Sequence, residues 1–301
     1  MVKLRKSTAD KLFWMVLVIP ALLIVAALIL LPIADAVRMS FTEYKMKNIL
    51  KGSPAVWNDF QNYVRLFSDN RFWPSALRTF QFVASVVLSQ FVIGMIFALL
   101  LNADIRGARF IRSVMMMPWV VPTVISALVW MWIYQSQYGL LRYLVHLFTF
   151  GAVTDFAMLN STDHAMAGIG IAALWKQIPL TTLLLLAGLQ NVPDDIIEAS
   201  TIDGAGYFTR ILRIVMPCMR SVISVVITMA IIENFKQFPL IWTMTGGGPS
   251  NATTTLAILS YREAFVSQNL GSGAAVTTVW MAMMILVVIL FKKTIGRQQA
   301  E

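Results

Sequence analysis

Six stretches of the sequence are each apolar over about 20 residues, the length a helix needs to cross a hydrocarbon core roughly 30 Å thick. They fall at 12–33, 76–101, 114–134, 165–190, 221–242 and 274–291. Backbone N–H and C=O groups in lipid find no water, so each stretch must satisfy its own hydrogen bonds as a helix. The expectation is an all-α integral membrane protein with six transmembrane helices. Composition agrees: charged residues make up 13% of the chain, about half of what a soluble domain uses to cover its surface. The apolar character runs from end to end, which predicts a single transmembrane domain over 1–301, with its core at 76–294.

The net charge of +9 does not form a nucleic-acid surface, because the basic residues sit in short runs beside apolar stretches, such as Lys3, Arg5 and Lys6 or Lys292 and Lys293. One cysteine, Cys218, excludes an intrachain disulfide and a cysteine-cluster metal site, and two histidines, His146 and His164, do not suggest a metal centre. Ala34-Asp35-Ala36 resembles a signal-peptidase site, but the apolar run before it is longer than the 7–15 residues of a signal core, so the first stretch is expected to stay as a span. With the N-terminus inside, Lys11, Arg106, Arg109, Arg112, Arg210, Arg213, Arg220 and Arg297 join those runs on the cytoplasmic side. The outer loops 136–164 and 244–272 keep only Arg142 and Arg262. Both termini are therefore expected in the cytoplasm. Segment 34–75 runs against the trend with Arg38, Lys45, Lys47, Lys51, Arg65 and Arg71. Within it Phe60, Tyr63, Val64 and Phe67 recur at helical spacing, the pattern of a helix lying on the membrane or docking an external partner.

The loop at 191–216 carries the most specific signal. Pro193 suits the first position of a helix, and Asp194, Asp195 and Glu198 complement its positive end. Gly204 and Gly206 then break it, and a second short helix at 207–215 runs into Pro217. Small residues, Ala199, Ser200 and Ala205, would let another surface approach closely. The physical pattern alone fits either an amphipathic connector or such a docking unit.

Glu198-Ala199-Ser200, Asp203-Gly204-Ala205, Ile214 and Met216-Pro217 together resemble the "EAA" loop of binding-protein-dependent ABC importer permeases. Ser200 stands where that pattern has alanine and Met216 where it has leucine. Phe235-Lys236-Gln237-Phe238 and Thr245-Gly246-Gly247-Gly248-Pro249 resemble the end of the fifth core span in maltose-type sugar permeases, with Thr253 to Leu256 and Tyr261 to Phe265 in the same pattern. The resemblance covers the chain from about Asp59 onward. It implies the type I ABC importer permease fold in a bacterial inner membrane, with a second homologous permease, a cytoplasmic ATPase dimer and a periplasmic or extracellular solute-binding protein as partners. It also implies that Glu198, Ala199, Ser200, Asp203 and Gly204 couple to the ATPase, which would hold ATP and magnesium. This chain is expected to bind no cofactor and to be no enzyme. In keeping with that, the sequence has no Gly-Lys dipeptide and hence no Walker A loop.

Two spans carry polar groups that lipid would penalise, which marks them as functional candidates. Ala173, Lys176, Gln177 and Leu180 share one face of the fourth by their i, i+3, i+4, i+7 spacing, and Ala230, Glu233, Asn234 and Gln237 repeat it on the fifth. These eight residues either line a sugar-binding cavity, with Trp130 or Trp175 against the apolar face of the ring, or include a Lys176–Glu233 ion pair that holds two helices together. By the resemblance, the faces match the positions that line the sugar site. The expected substrate is a neutral di- or oligosaccharide moved by alternating access; import of glycerol phosphate or a sugar alcohol is the nearest rival. An ion-driven secondary transporter would not need the 191–216 loop, and a membrane scaffold would leave the buried charges unexplained.

Overall fold

The computed structural model describes residues 8–103, 107–152 and 157–297; Lys3, Arg5, Lys6 and Arg106 of the charge pattern lie outside the described residues. In chain order the elements that matter are α1 (Phe13–Ser40), β1 (Thr42–Glu43), β2 (Val56–Trp57), α2 (Gln61–Ser68), α3 (Phe72–Asn102), α4 (Ala108–Val120) and α5 (Thr123–Ile133). They are followed by α6 (Ala165–Leu189), α7 (Asp194–Ile202), α8 (Tyr207–Cys218), α9 (Arg220–Phe235), α10 (Pro239–Thr245) and α11 (Leu270–Arg297). Four helices are long and apolar enough to cross a membrane unbroken: α1, α3, α6 and the stretch Leu270–Thr294 of α11. The pairs α4–α5 and α8–α9 supply the other two when each is counted as one bent span. Contacts among the described residues form two compact units, where the sequence reads as one domain. One comprises the residues up to Asp69 with Ser260–Val279, the other Asn70–Leu259 with the residues from Trp280 onward.

In the first unit, every side chain from 13 to 25 is exposed, as expected for a helix whose solvent is lipid. At the end of α1 the chain turns into the two-residue ribbon β1–β2, in which Thr42 pairs with Trp57 and Glu43 with Val56. The buried Asn62 of α2 donates to the Ser40 and Thr42 carbonyls at 2.8 and 2.9 Å, and the Tyr63 hydroxyl meets Ser40 Oγ at 2.6 Å. These bonds turn Phe60, Val64 and Phe67 outward, all exposed. The Gly271 N–H donates to the Tyr44 carbonyl at 2.9 Å, tying the start of α11 to the loop after β1.

In the second unit α3 and α6 form the central pair. At Gly94 a Cβ would lie 2.8 Å from Thr181 Cγ2, so the two helices approach as closely as they do because that position carries no side chain. One apolar cluster joins Phe82, Val86, Ala127, Ile169, Ala172 and Leu240, and a second joins Met95, Ala98, Leu185, Leu189 and Met219.

Prolines break two of the expected continuous spans. The third bends by 95° because Val121 and Pro122 are both extended (ψ 131° and 140°) between α4 and α5. A residue before proline is pushed out of the helical region, and the run of apolar side chains gives no sign of it. The fifth span, expected to run to 242, stops at Phe235 and restarts at Pro239, where proline has no N–H to continue the ladder. The 191–216 loop also differs in detail. Pro193 caps α7 instead of opening it, and Gly204 makes the break with φ +77°. Gly206 is extended (φ −64°, ψ 160°), and α8 continues past Pro217 to Cys218.

Candidate functional site

α3, α6 and α9 each bring one amide to the same level. Gln90 Nε2 donates to Thr181 Oγ1 at 2.5 Å; Asn234 Nδ2 donates to Gln177 Oε1 at 2.9 Å and to Gln90 Oε1 at 3.4 Å. Gln177 Nε2 returns a bond to Asn234 Oδ1 at 3.1 Å, and Asn234 Nδ2 also reaches the Ala230 carbonyl at 2.9 Å. Gln90 and Asn234 are buried, and buried amides are stable there only because the network satisfies them.

This network sits beside a cavity of about 370 Å³ lined by Gln90, Trp119, Thr123, Lys176, Gln177, Leu180, Thr181, Leu184, Val226, Met229, Ala230, Glu233 and Gln237. Six of the eight expected site residues therefore share one cavity wall: Lys176, Gln177, Leu180, Ala230, Glu233 and Gln237. Two do not reach it. Ala173 is fully buried in the first apolar cluster, and Asn234 lies behind the wall as the amide that Gln177 and Gln90 lean on. Trp130 and Trp175 pack edge to face at 6.0 Å away from the lining, and the aromatic ring that does line the cavity is Trp119. Gln90 and Thr181 are not among the residues expected from the sequence. A signal for Gln90 exists there: it is one of two glutamines, with Gln81, inside the long apolar run of α3.

The Lys176–Glu233 ion pair does not form. The Lys176 ammonium donates to the Trp119 carbonyl at 3.3 Å and, more closely, to the Val121 carbonyl; Glu233 pairs at 2.9 Å with Lys236, just past the end of α9. Chemically the lining offers amide donors and acceptors, one ammonium, one carboxylate and an indole face. That set matches a polyhydroxylated ligand, whose hydroxyls donate and accept and whose C–H faces stack on aromatic rings.

On the loop, Glu198, Ala199, Asp203 and Gly204 are exposed, while Ser200 is buried and donates to the Ile197 carbonyl at 2.7 Å. The Arg210 guanidinium donates to Thr201 Oγ1 at 2.9 Å, bracing α8 against α7 across the Gly204 turn. Ile202 and Phe208 stand 87% and 77% exposed beside this acidic face. Both apolar side chains stand open on this loop.

The family model for the binding-protein-dependent transport system inner membrane component matches residues 90–298. The trehalose/maltose transport system permease protein MalF of Thermococcus litoralis is 33% identical over 281 residues, 93% of this chain and 92% of that protein. The sulfoquinovosyl glycerol transport system permease protein SmoG of Agrobacterium fabrum is 29% identical, covering 95% of this chain and 91% of its own. Among solved structures, a bacterial ABC transporter involved in import of the acidic polysaccharide alginate aligns with a TM-score of 0.79 and 17% identity, covering 96% of both chains, which shows a shared fold. The chain is therefore a membrane-embedded permease and belongs to the family of binding-protein-dependent transport system inner membrane components.

Proposed function

We propose that the chain is one of two permease subunits of an ATP-driven importer, and that it carries a neutral di- or oligosaccharide through the cavity between α3, α6 and α9 by alternating access. The observation that carries the substrate reading is the lining itself. Three glutamine amides, one ammonium and one carboxylate sum to no net charge and provide both donors and acceptors. A phosphate ligand would ask for several cations, and Lys176 already commits bonds to two backbone carbonyls. Two relatives are named for trehalose/maltose and sulfoquinovosyl glycerol, both of which contain a sugar, while others, 31–32% identical, are named for sn-glycerol-3-phosphate.

A solute-binding protein outside the membrane would deliver the sugar. The exposed Glu198–Gly204 face, with Ile202 and Phe208, would seat on a separate cytoplasmic ATPase dimer that holds ATP and magnesium. Both termini and the 191–216 loop would then be cytoplasmic. The test is a sugar panel read by stimulation of ATP hydrolysis in the reconstituted complex. Gln177→Ala and Gln237→Ala should weaken stimulation by the cognate sugar while basal hydrolysis persists. Unchanged stimulation in both variants would move the substrate elsewhere. Labelling of Asp195→Cys, on a Cys218→Ser background, by an impermeant thiol reagent outside the cell would overturn the topology.

A further inference from the structure

The bend between α4 and α5 leaves a problem that lipid cannot solve. Val121 and Pro122 are extended, so the carbonyls of the last turn of α4 have no i+4 donors, and Pro122 supplies no N–H at all. Carbonyls at a helix C-terminus also carry the negative end of the helix dipole. Unsatisfied backbone groups at membrane depth are costly, and such a break persists only where something else caps it. The cap here is the Lys176 ammonium, which reaches across from α6 to the Trp119 and Val121 carbonyls, on either side of the last residue of α4. Trp119 and Thr123, the residues that flank the break, both line the cavity.

We infer that Lys176 is a positioning residue: its ammonium fastens the broken third span and so fixes the cavity wall made by Trp119 and Thr123, acting on substrate through that wall and not by contact. Two of its three N–H donors are committed to the break. The carboxylate expected to hold it, Glu233, is engaged by Lys236. A cation is suited to this task because it satisfies two carbonyls at once, and its charge opposes the dipole of α4. Arginine preserves both properties, while methionine preserves only the length of the side chain. The inference rests on the cavity being the substrate site, but the geometry it concerns exists without substrate.

The test uses the assembled complex in membrane vesicles without sugar, with Thr123→Cys on a Cys218→Ser background, and reads the rate of alkylation of the thiol introduced at position 123. Lys176→Met should change that rate by about tenfold, the weight of one charge-assisted hydrogen bond, and Lys176→Arg should return it to within about twofold of the Lys176 parent. Uptake should follow the same order, with a raised KM in the Met variant. If Lys176→Met leaves alkylation unchanged, the inference is wrong, whether uptake falls (Lys176 then contacts the sugar) or persists (the ammonium is idle). If the Met variant fails to assemble, the Arg variant decides alone: normal assembly and alkylation support the cap, and failure with Arg as well overturns it.

Discussion

Gln177 and Asn234, from two different membrane helices, hold each other's side-chain amides through two reciprocal hydrogen bonds of 3.1 and 2.9 Å. Gln177 faces the cavity and Asn234 does not, so the buried partner sets the orientation of the one that can meet substrate. Asn234→Leu removes the buried partner while leaving Gln177 and Gln90 with unmet amide groups. The expected loss is about 1–3 kcal/mol of stability, read as a lower unfolding temperature of the purified complex, together with weaker sugar stimulation of ATP hydrolysis. An unchanged melting temperature would mean the network contributes nothing.

Lys176 and Glu233 face the same cavity without pairing. In a double-mutant cycle, Lys176→Met and Glu233→Gln should be additive in stability to within about 0.5 kcal/mol. Glu233 and Lys236, an exposed i,i+3 pair, should show a coupling of about 0.3–0.5 kcal/mol that fades with salt. A strong Lys176–Glu233 coupling would restore the ion-pair reading of these helices.

The contact between α3 and α6 at Gly94 gives a compensating pair. Gly94→Ala forces a Cβ into the space of Thr181 Cγ2 and should cost about 1–3 kcal/mol. Adding Thr181→Ser removes that methyl and keeps the hydroxyl that accepts from Gln90. The double variant should therefore regain most of the melting temperature and most of the uptake. Failure of Thr181→Ser to rescue would place the strain elsewhere.

At Gly204 no atom of the described residues lies within 4 Å of where a Cβ would be, so the constraint there is the backbone, at φ +77°. Gly204→Ala should cost about 1–2 kcal/mol locally, and Gly204→Asn less, because asparagine tolerates the left-handed region. In the reconstituted complex, uptake per ATP hydrolysed should fall in the order Gly, Asn, Ala. Equal coupling in all three would remove the turn from the ATPase contact.

The six spans are legible in the sequence because apolarity over about 20 residues is set by the solvent and not by tertiary contacts. Several ends shift by nearly two helical turns, as at Ser40, Ala108 and Phe235, and the breaks at Pro122 and Pro239 are hidden because a hydropathy window reads side chains and not backbone donors. Helical spacing brings Lys176, Gln177 and Glu233 to one cavity, and Gln237 reaches it from the break between α9 and α10. It cannot say that Asn234 turns behind the wall or that Ala173 is packed away, because periodicity fixes a face and not which of its residues a third helix covers. That third helix is α3, and Gln90 on it is easily missed because nothing in the sequence sets it apart from Gln81, Ser85 and Ser89 in the same span. The Lys176–Glu233 pair is a charge argument without geometry. The ammonium instead goes to the carbonyls that a broken span exposes, and although Pro122 signals a break, nothing in the sequence says which side chain caps it.

The central claim is that this chain forms an ATP-driven sugar path whose wall includes Gln177. Uptake of labelled sugar into proteoliposomes, with the complete complex and ATP supplied on the ATPase side, tests it most directly. The account predicts accumulation that requires ATP hydrolysis, survives collapse of ion gradients, and falls at least about tenfold in Gln177→Leu, the loss of a buried hydrogen-bonding group, while the complex still assembles. Accumulation driven by an ion gradient without ATP, or normal accumulation through Gln177→Leu, would contradict it.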